Sequence, residues 1–315
     1  MLGPKSTVLI GAVGSWALLL ALSRAVVLGY GLDPWMFTFL QLLSGGVFLL
    51  LIARRGETGS SVLLRADTWL IGVFRVGTAA LYMASLLHVD VMQASFFGAI
   101  GVPASTLAVW ILFDRRPAAA ELVGHLPLIA GAAIVASGFT DGFLNPAVGL
   151  LLVSSCCVLG ANLLAERHPH MQALGPGTRI RLTGTVLVIT AAGFAAWRFL
   201  QASVDWAGPA GGLDPVDLLR PELWIAGLGL GITLRGFCTY LGFRAAAVAG
   251  TQNYMAAVLA LPIVGALLEA AIAWSGYGAW PALSASEGVG GGLIIFGGLA
   301  VVYVRRRQAR ILRDA

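Results

Sequence analysis

Two arginines lie inside long apolar segments of this chain, where a positive charge is costly. Arg75 and Arg235 each stand within about twenty otherwise uncharged residues. An arginine at the centre of a membrane helix costs about 2.5–3.5 kcal/mol even on the mildest insertion scale, so each needs a partner or water. A planar guanidinium matches a carboxylate or a phosphate. The two residues could therefore bind an anionic group. Alternatively, each could pair with a protein carboxylate, or lie nearer to a membrane interface.

The two arginines hold equivalent places in a stretch of sequence that occurs twice. After 18 residues in the first copy and 17 in the second, the arginine is followed by a glutamine, Gln93 or Gln252. A proline, Pro103 or Pro262, comes 10 residues later in both copies. Proline removes a backbone hydrogen bond and kinks a helix, so these two could be hinges or only fixed bends. An internal repeat of this kind predicts two similarly built halves.

Further residues on the same segments are candidate contacts for a substrate. Trp16 and Tyr82 are expected at a depth where they could form flat walls, and Asn162 could provide polar lining. Trp and Tyr also anchor helices at interfaces, and Asn also joins helices. Gln93, Gln252 and Asn253 open two of the segments. They could cap helices or contact substrate, and capping is slightly favoured.

Glu269 is the only acidic residue deep within an apolar segment. A low dielectric favours the protonated form of a carboxyl group, which suits a site that couples transport to an ion such as a proton. Arg24, in the first segment, is expected at a comparable depth and could instead neutralise Glu269. The sequence therefore predicts either ion coupling or an ion pair here, with the ion pair favoured.

The composition places these residues in a membrane protein. Of 315 residues, 58% are hydrophobic and 11% are charged, whereas soluble domains carry about a quarter charged residues. Mean hydropathy is +0.86. Ten apolar segments are long enough to cross a bilayer, with approximate bounds 7–28, 34–53, 68–87, 93–113, 122–140, 147–165, 180–200, 223–243, 250–274 and 288–304. The predicted fold class is an all-α integral membrane protein with ten transmembrane helices.

The distribution of positive charge predicts the orientation of these helices. With a cytoplasmic N-terminus, fifteen of the twenty Lys and Arg residues fall on the cytoplasmic side, which favours both termini inside a bacterial inner membrane. Five helices per half is an odd number, so the halves, 7–140 and 147–304, would be inverted relative to each other, with 305–315 as a basic cytoplasmic tail. Inverted repeats are typical of secondary transporters, which hold substrate near mid-membrane. Arg75 and Arg235 hold equivalent places in the two inverted halves, so we expect them to face each other. The predicted substrate is therefore a small organic metabolite that is anionic or zwitterionic.

Other classes of protein receive little support from the sequence. Three cysteines in apolar runs imply neither disulfides nor a metal site, and we expect no cofactor, no metal and no nucleic-acid partner. Ser85, His88 and Asp90 are too near a helix end to predict a catalytic triad. We therefore predict that the protein is not an enzyme; the alternative is a membrane-embedded enzyme or a non-transporting scaffold. Glycines of the last segment fit close helix packing and could equally form a homodimer seam.

A series of short motifs extends over nearly the whole chain. They are Gly11-x-x-Gly14-x-Trp16, Asp33-Pro34, Pro103 followed by Asp114-Arg-Arg-Pro117, Gly124-x6-Gly131, Pro262 and the glycines from Gly290 to Gly298. In this order and duplication the chain resembles EamA-type transporters of the drug/metabolite transporter superfamily. The resemblance implies a central cavity lined mainly by the first, third, fourth, sixth, eighth and ninth of ten helices. It also implies transport of small metabolites or drugs, often as efflux. The chain departs from the family pattern at Gln41, where a basic residue is common.

Overall fold

The fold was analysed in a computed structural model that describes residues 4–53, 60–172, 176–204, 215–276, 280 and 283–314. Every regular element among them is helical. The helices of the first half are α1 (Pro4–Tyr30), α2 (Pro34–Ile52), α3 (Ser60–Leu63), α4 (Ala66–Ser85), α5 (Val91–Gly98), α6 (Gly101–Phe113) and α7 (Ala119–Ser137). Those of the second half are α8 (Pro146–Arg167), α9 (Pro169–Gln172), α10 (Pro176–Ser203), α11 (Pro221–Leu230), α12 (Gly236–Ala249), α13 (Thr251–Val258), α14 (Leu261–Trp274) and α15 (Ala285–Asp314).

The described helices make this a multi-pass membrane protein. Eight of them, counting α5–α6 and α11–α12 as single spans, are long and apolar enough to cross a membrane, and the bent pair α13–α14 brings the number to nine. Helix α4 has 20 residues but carries Arg75 near its middle and is not among these spans. Helix α15 continues beyond residue 304, through the basic segment, to Asp314.

Short polar side chains begin several of the spans where the sequence shows turn chemistry. Asp33 precedes Pro34 and accepts a 2.6 Å hydrogen bond from the Met36 amide at the start of α2. Asn145 precedes Pro146 and accepts one of 2.8 Å from the Ala147 amide at the start of α8. These side chains satisfy amides that a helix leaves unpaired at its N-terminus.

Each of the two repeated prolines follows a break in its helix. The break between α5 and α6 lies at residues 99–100, just before Pro103, and the break between α13 and α14 lies at residues 259–260, just before Pro262. The second pair is bent by 40°. Proline has no N–H to offer the carbonyl four residues earlier, so the helix is interrupted one turn before it. A third irregularity is the π-helical turn Gly231–Arg235 between α11 and α12, which ends at Arg235.

Glycines let several helices approach until their backbones touch. A Cβ added to Gly236 of α12 would lie 2.5 Å from the carbonyl oxygen of Gly45 in α2. Gly131 of α7 and Gly290 of α15 face each other in the same way. Within this chain, Gly290, Gly291, Gly297 and Gly298 of the last helix lie close to neighbouring segments, whereas a Cβ on Gly292 would meet nothing within 4 Å.

Replacing Gly236 by alanine should separate α2 from α12. Overpacking of this kind costs about 1–3 kcal/mol, so we expect Gly236→Ala to lower the melting temperature of the detergent-solubilised protein. Gly193→Ala is the matched control, because a Cβ at Gly193 would meet nothing within 4 Å. Equal melting temperatures for the two variants would contradict the close approach of α2 and α12.

Candidate functional site

The two buried arginines meet at one indole ring. The guanidinium carbon of Arg75 lies 4.5 Å from the centroid of the Trp16 ring, and that of Arg235 lies 5.1 Å from it. Each arginine is only 1% exposed. A cation over an aromatic face is attracted to the ring quadrupole. The tryptophan therefore holds two like charges close together, although neither has an acidic partner among the described residues.

Both arginines leave the same edge of the guanidinium without a hydrogen bond. In Arg75 and in Arg235, the Nε and Nη2 atoms are buried and have no partner among the described residues. Elsewhere in the protein this edge holds a carboxylate with both of its nitrogens. Nε and Nη2 of Arg65 donate to Asp67 at 2.9 and 2.6 Å, and those of Arg198 donate to Asp33 at 3.5 and 2.8 Å. Two forks suited to an anion are thus free at Trp16.

Helix α12 comes close enough to complete this arrangement because it carries a glycine there. A Cβ on Gly242 would lie 3.2 Å from the Tyr254 hydroxyl, 3.4 Å from Nη2 of Arg75 and 3.5 Å from Nε1 of Trp16. These three polar groups therefore converge on the surface of Gly242. The ring of Phe243 lies 5.4 Å from the Arg75 guanidinium carbon. Aromatic groups and a glycine backbone, not carboxylates, thus surround Arg75.

A cavity opens beside Arg75. The volume of this cavity that is open to water is about 90 Å³, which is the space of about six water molecules. Helices α1, α4, α5, α8, α13 and α14 line it, and so both halves of the chain contribute. The lining residues are Val13, Trp16, Leu20, Arg75, Thr78, Ala79, Tyr82, Ser95, Gly98, Ser154, Ser155, Val158, Tyr254, Met255, Val258 and Leu261.

Of the predicted substrate contacts, Trp16, Arg75 and Tyr82 line this cavity, whereas Arg235 does not. Arg235 reaches only the indole of Trp16, from the π-helical turn. The hydroxyl of Tyr82 lies 2.9 Å from Oγ of Ser95, another lining residue. Asn162 is fully buried and contacts the Sδ atom of Met255 at 3.6 Å, and its Oδ1 has no partner among the described residues.

The remaining predicted substrate contacts, Gln93, Gln252 and Asn253, do not line the cavity. Gln93 forms a capping box with Asp90 and donates a 2.6 Å hydrogen bond to Glu287. The backbone carbonyl oxygen of Gln252 accepts a 3.0 Å hydrogen bond from Nη1 of Arg305. Asn253 is exposed and donates to the carbonyl of Ala249 at 2.7 Å.

Glu269 and Arg24 form the ion pair that the sequence favours. Nη1 of Arg24 lies 3.3 Å from Oε1 of Glu269, and the same oxygen accepts a 3.4 Å hydrogen bond from the amide of Val91, the first residue of α5. Nε of Arg24 donates to the carbonyl of Leu86 at 3.4 Å. This group, the Glu269 cluster, joins α1 and α14 to the start of α5.

A similar group, which the sequence does not reveal as functional, lies around Glu166. Its Oε2 accepts a 2.8 Å hydrogen bond from the amide of Thr251, the first residue of α13, and its Oε1 lies 3.4 Å from Nη1 of Arg115. We call these three residues the Glu166 cluster. An acidic residue in the last turn of a helix opposes the helix dipole. Glu166 lies in the last turn of α8. This unfavourable position was the signal in the sequence that could have identified it.

The two clusters lie at opposite ends of the same two broken spans. The span from α5 to α6 begins at Val91 in the Glu269 cluster and ends just before Arg115 of the Glu166 cluster. The α13–α14 pair begins at Thr251 in the Glu166 cluster and carries Glu269 near its other end. The cavity, with Ser95 and Met255 in its lining, lies along both spans between the clusters.

Ser85, His88 and Asp90 are not arranged as a catalytic triad. The hydroxyl of Ser85 donates to the carbonyl of Tyr82, and Asp90 caps α5, while His88 is exposed. Across the part of the chain that the structure describes, no three His, Cys, Asp or Glu residues are grouped so as to hold a metal ion.

No model of a protein family matches the chain, and no curated protein matches it. Solved structures do match it. One of them, described only as "Crystal structure of protein", has a TM-score of 0.64 and 19% sequence identity, over 96% of this chain and 98% of its own. At this identity the likeness shows the fold alone.

Replacing Arg75 by methionine should stabilise the protein in the absence of a bound anion. The substitution removes a charge that costs about 2.5–3.5 kcal/mol and its repulsion with Arg235 at the same indole. It also loses cation–π contacts with the Trp16 and Phe243 rings, each of about 0.5–2 kcal/mol, so we expect a small net gain in stability. The measurement is unfolding of the detergent-solubilised protein in buffer without organic anions.

Arg198→Met is the matched control, because Arg198 is also buried but is paired with Asp33. Breaking a buried ion pair costs about 3–5 kcal/mol, so this variant should be less stable than the parent. A comparable loss in Arg75→Met would show that Arg75 is a structural residue with a partner.

Proposed function

We propose that the protein is a secondary transporter that moves a small organic metabolite with an anionic group across the membrane by alternating access. The observation that carries this proposal is Arg75, which is buried, unpaired among the described residues and part of the wall of a cavity that both halves of the chain line. A buried charge without a partner is costly, and proteins retain such groups in membranes mainly for function. Substrate would bind at this cavity and supply the missing counter-charge.

We further propose that the chain is an EamA-type member of the drug/metabolite transporter superfamily. Counting α4 and the bent pair α13–α14 as spans gives the ten transmembrane helices and two inverted five-helix repeats of the proposal. Support comes from the two broken spans, which hold equivalent places in the two halves, and from the cavity lining. Of the six helices that the resemblance implies, it includes the first, third, fourth, sixth and ninth. Both termini would be cytoplasmic, in a bacterial inner membrane, and export is the proposed direction.

The two clusters have the positions that gates would need. In alternating access the substrate site opens to one side of the membrane at a time. Breaking the Glu269 cluster would free the start of α5, and breaking the Glu166 cluster would free the start of α13. Pro103 and Pro262, just beyond the helix breaks, would let these short helices move as hinged segments. Glu269 would also be the residue at which a proton could couple to opening.

A counterflow screen in proteoliposomes tests the proposal. We expect the parent to exchange at least one compound among organic acids, amino acids, nucleotides and cationic drugs, and anions should predominate among the compounds that move. A hydrogen bond to a charged group contributes about 1.5–3 kcal/mol, so Arg75→Gln should weaken substrate affinity by about 10–100-fold, and Arg75→Lys should weaken it less. Arg244→Gln is the control, because Arg244 is exposed.

An enzyme or a scaffold gives a different outcome in the same vesicles. An enzyme would alter the compound chemically, and a scaffold would move none. Unchanged substrate affinity in folded Arg75→Gln would contradict the role given to Arg75.

The gates can be tested by labelling a cysteine placed at Ser95 in a background without the three native cysteines. We expect Glu269→Gln to raise the rate of labelling by an impermeant thiol reagent about tenfold from one side of the membrane. Glu166→Gln should do so from the other side, because each substitution removes a charged acceptor of a helix amide. The comparison uses intact cells and inverted vesicles.

Asp114→Asn is the control for both variants, because the Asp114 side chain is 89% exposed and its nearest ion-pair distance is 4.0 Å. If both gate variants raised labelling from the same side, the two clusters would not be opposite gates.

A further inference from the structure

The cavity beside Arg75 is lined by one cationic residue and otherwise by uncharged residues. Among the described residues that line it, Arg75 is the one charged side chain and none is acidic. Six others carry a hydroxyl group: Thr78, Tyr82, Ser95, Ser154, Ser155 and Tyr254. The rest are apolar or aromatic. A molecule that fits these walls has one anionic end and an apolar body.

The free edge of Arg75 is the edge that binds carboxylates in this protein. Nε and Nη2 of Arg65 and of Arg198 each hold one aspartate through both carboxylate oxygens. The same two atoms of Arg75 have no partner among the described residues. A carboxylate in the plane of the guanidinium would satisfy both at once.

An ammonium group on the same molecule would find no counter-charge. Glu269 belongs to the Glu269 cluster, where Arg24 and the Val91 amide engage it, and it does not line the cavity. An ammonium would lose its hydration without gaining an ion pair.

Arg235 adds positive electrostatic potential near the cavity, but its guanidinium is not available there to bind a second carboxylate. Its guanidinium is at the Trp16 ring and is not part of the cavity lining. A second carboxylate on the molecule would therefore meet no second guanidinium in the lining of this cavity. The charge of Arg235 still favours the anionic form of whatever binds at Arg75.

We infer that this site selects small amphipathic monocarboxylates that carry no ammonium group, and so excludes amino acids and dicarboxylates. The inference rests on the proposed function and narrows its substrate class. The cavity volume of about 90 Å³ suits a small organic ion. The carboxylate lies on Nε and Nη2 of Arg75, and the apolar body lies between the Trp16 ring and the side chains of α13 and α14.

Four probes of nearly equal size separate the possibilities. They are 4-methylpentanoate, its amide 4-methylpentanamide, leucine, which adds the ammonium, and glutarate, which adds a second carboxylate. Binding to the purified full-length protein is measured by titrating the shift in melting temperature. We expect 4-methylpentanoate to bind at least tenfold more tightly than each of the other three. Arg75→Gln should remove that preference over the amide, whereas Arg244→Gln should keep it.

Binding of leucine or of glutarate as tight as that of 4-methylpentanoate would overturn the inference, and so would binding of none of the four. These results differ from a failure of the proposed function. If leucine or a compound without a carboxylate exchanges in counterflow, the transporter stands and only its assigned substrate class is wrong. If nothing in the wider counterflow screen moves, both fall.

Discussion

Two positive charges buried without a counter-charge are the constraint on which the rest of this structure depends. Arg75 and Arg235 share one indole, and among the described residues nothing occupies the carboxylate-binding edge of either one. A third buried arginine, Arg198, is paired with Asp33, so the free edges are not a general feature of the interior. This contrast is the basis for the proposal that the site binds an anion.

The surrounding helices are irregular where such a site requires it. Breaks before Pro103 and Pro262 divide two spans into short helices, and a π-helical turn places Arg235 at the indole. Irregular backbone at membrane depth is tolerated only where protein or a cavity satisfies it. Carboxylates hold the first amides of α5 and α13 at opposite ends of these spans. The breaks in these two spans thus lie beside the cavity. At each end of the spans, one carboxylate holds the first amide of a short helix, Glu269 at α5 and Glu166 at α13.

Much of the fold could be predicted from residue types, because the membrane allows few solutions. Apolar length indicated the spans, Asp33-Pro34 and Asn145-Pro146 indicated helix starts, and the prolines indicated the interruptions. The pair of Arg24 with Glu269 could be predicted from the scarcity of acids within the apolar segments. The convergence of Arg75 and Arg235 on Trp16 could not be derived in the same way, since it depends on Gly242 letting α12 come close.

The site was less predictable than the fold, because the direction of a side chain depends on packing. Gln252 and Asn253 lie at the start of a cavity-lining helix, but neither of them lines the cavity. Arg235 occupies the place equivalent to Arg75 and still does not line the cavity, because the π-helical turn has no counterpart in α4. The hydrogen bond between Glu166 and the Thr251 amide could not be predicted, because the two residues are 85 positions apart in the sequence.

The most direct measurement is an experimental structure of the protein with a bound organic anion, at a resolution that shows the ligand. The account predicts density within hydrogen-bonding distance of Nε and Nη2 of Arg75, with the Trp16 ring against the ligand. A structure in which a protein carboxylate occupies that edge of Arg75, or in which the anion binds elsewhere, would contradict it.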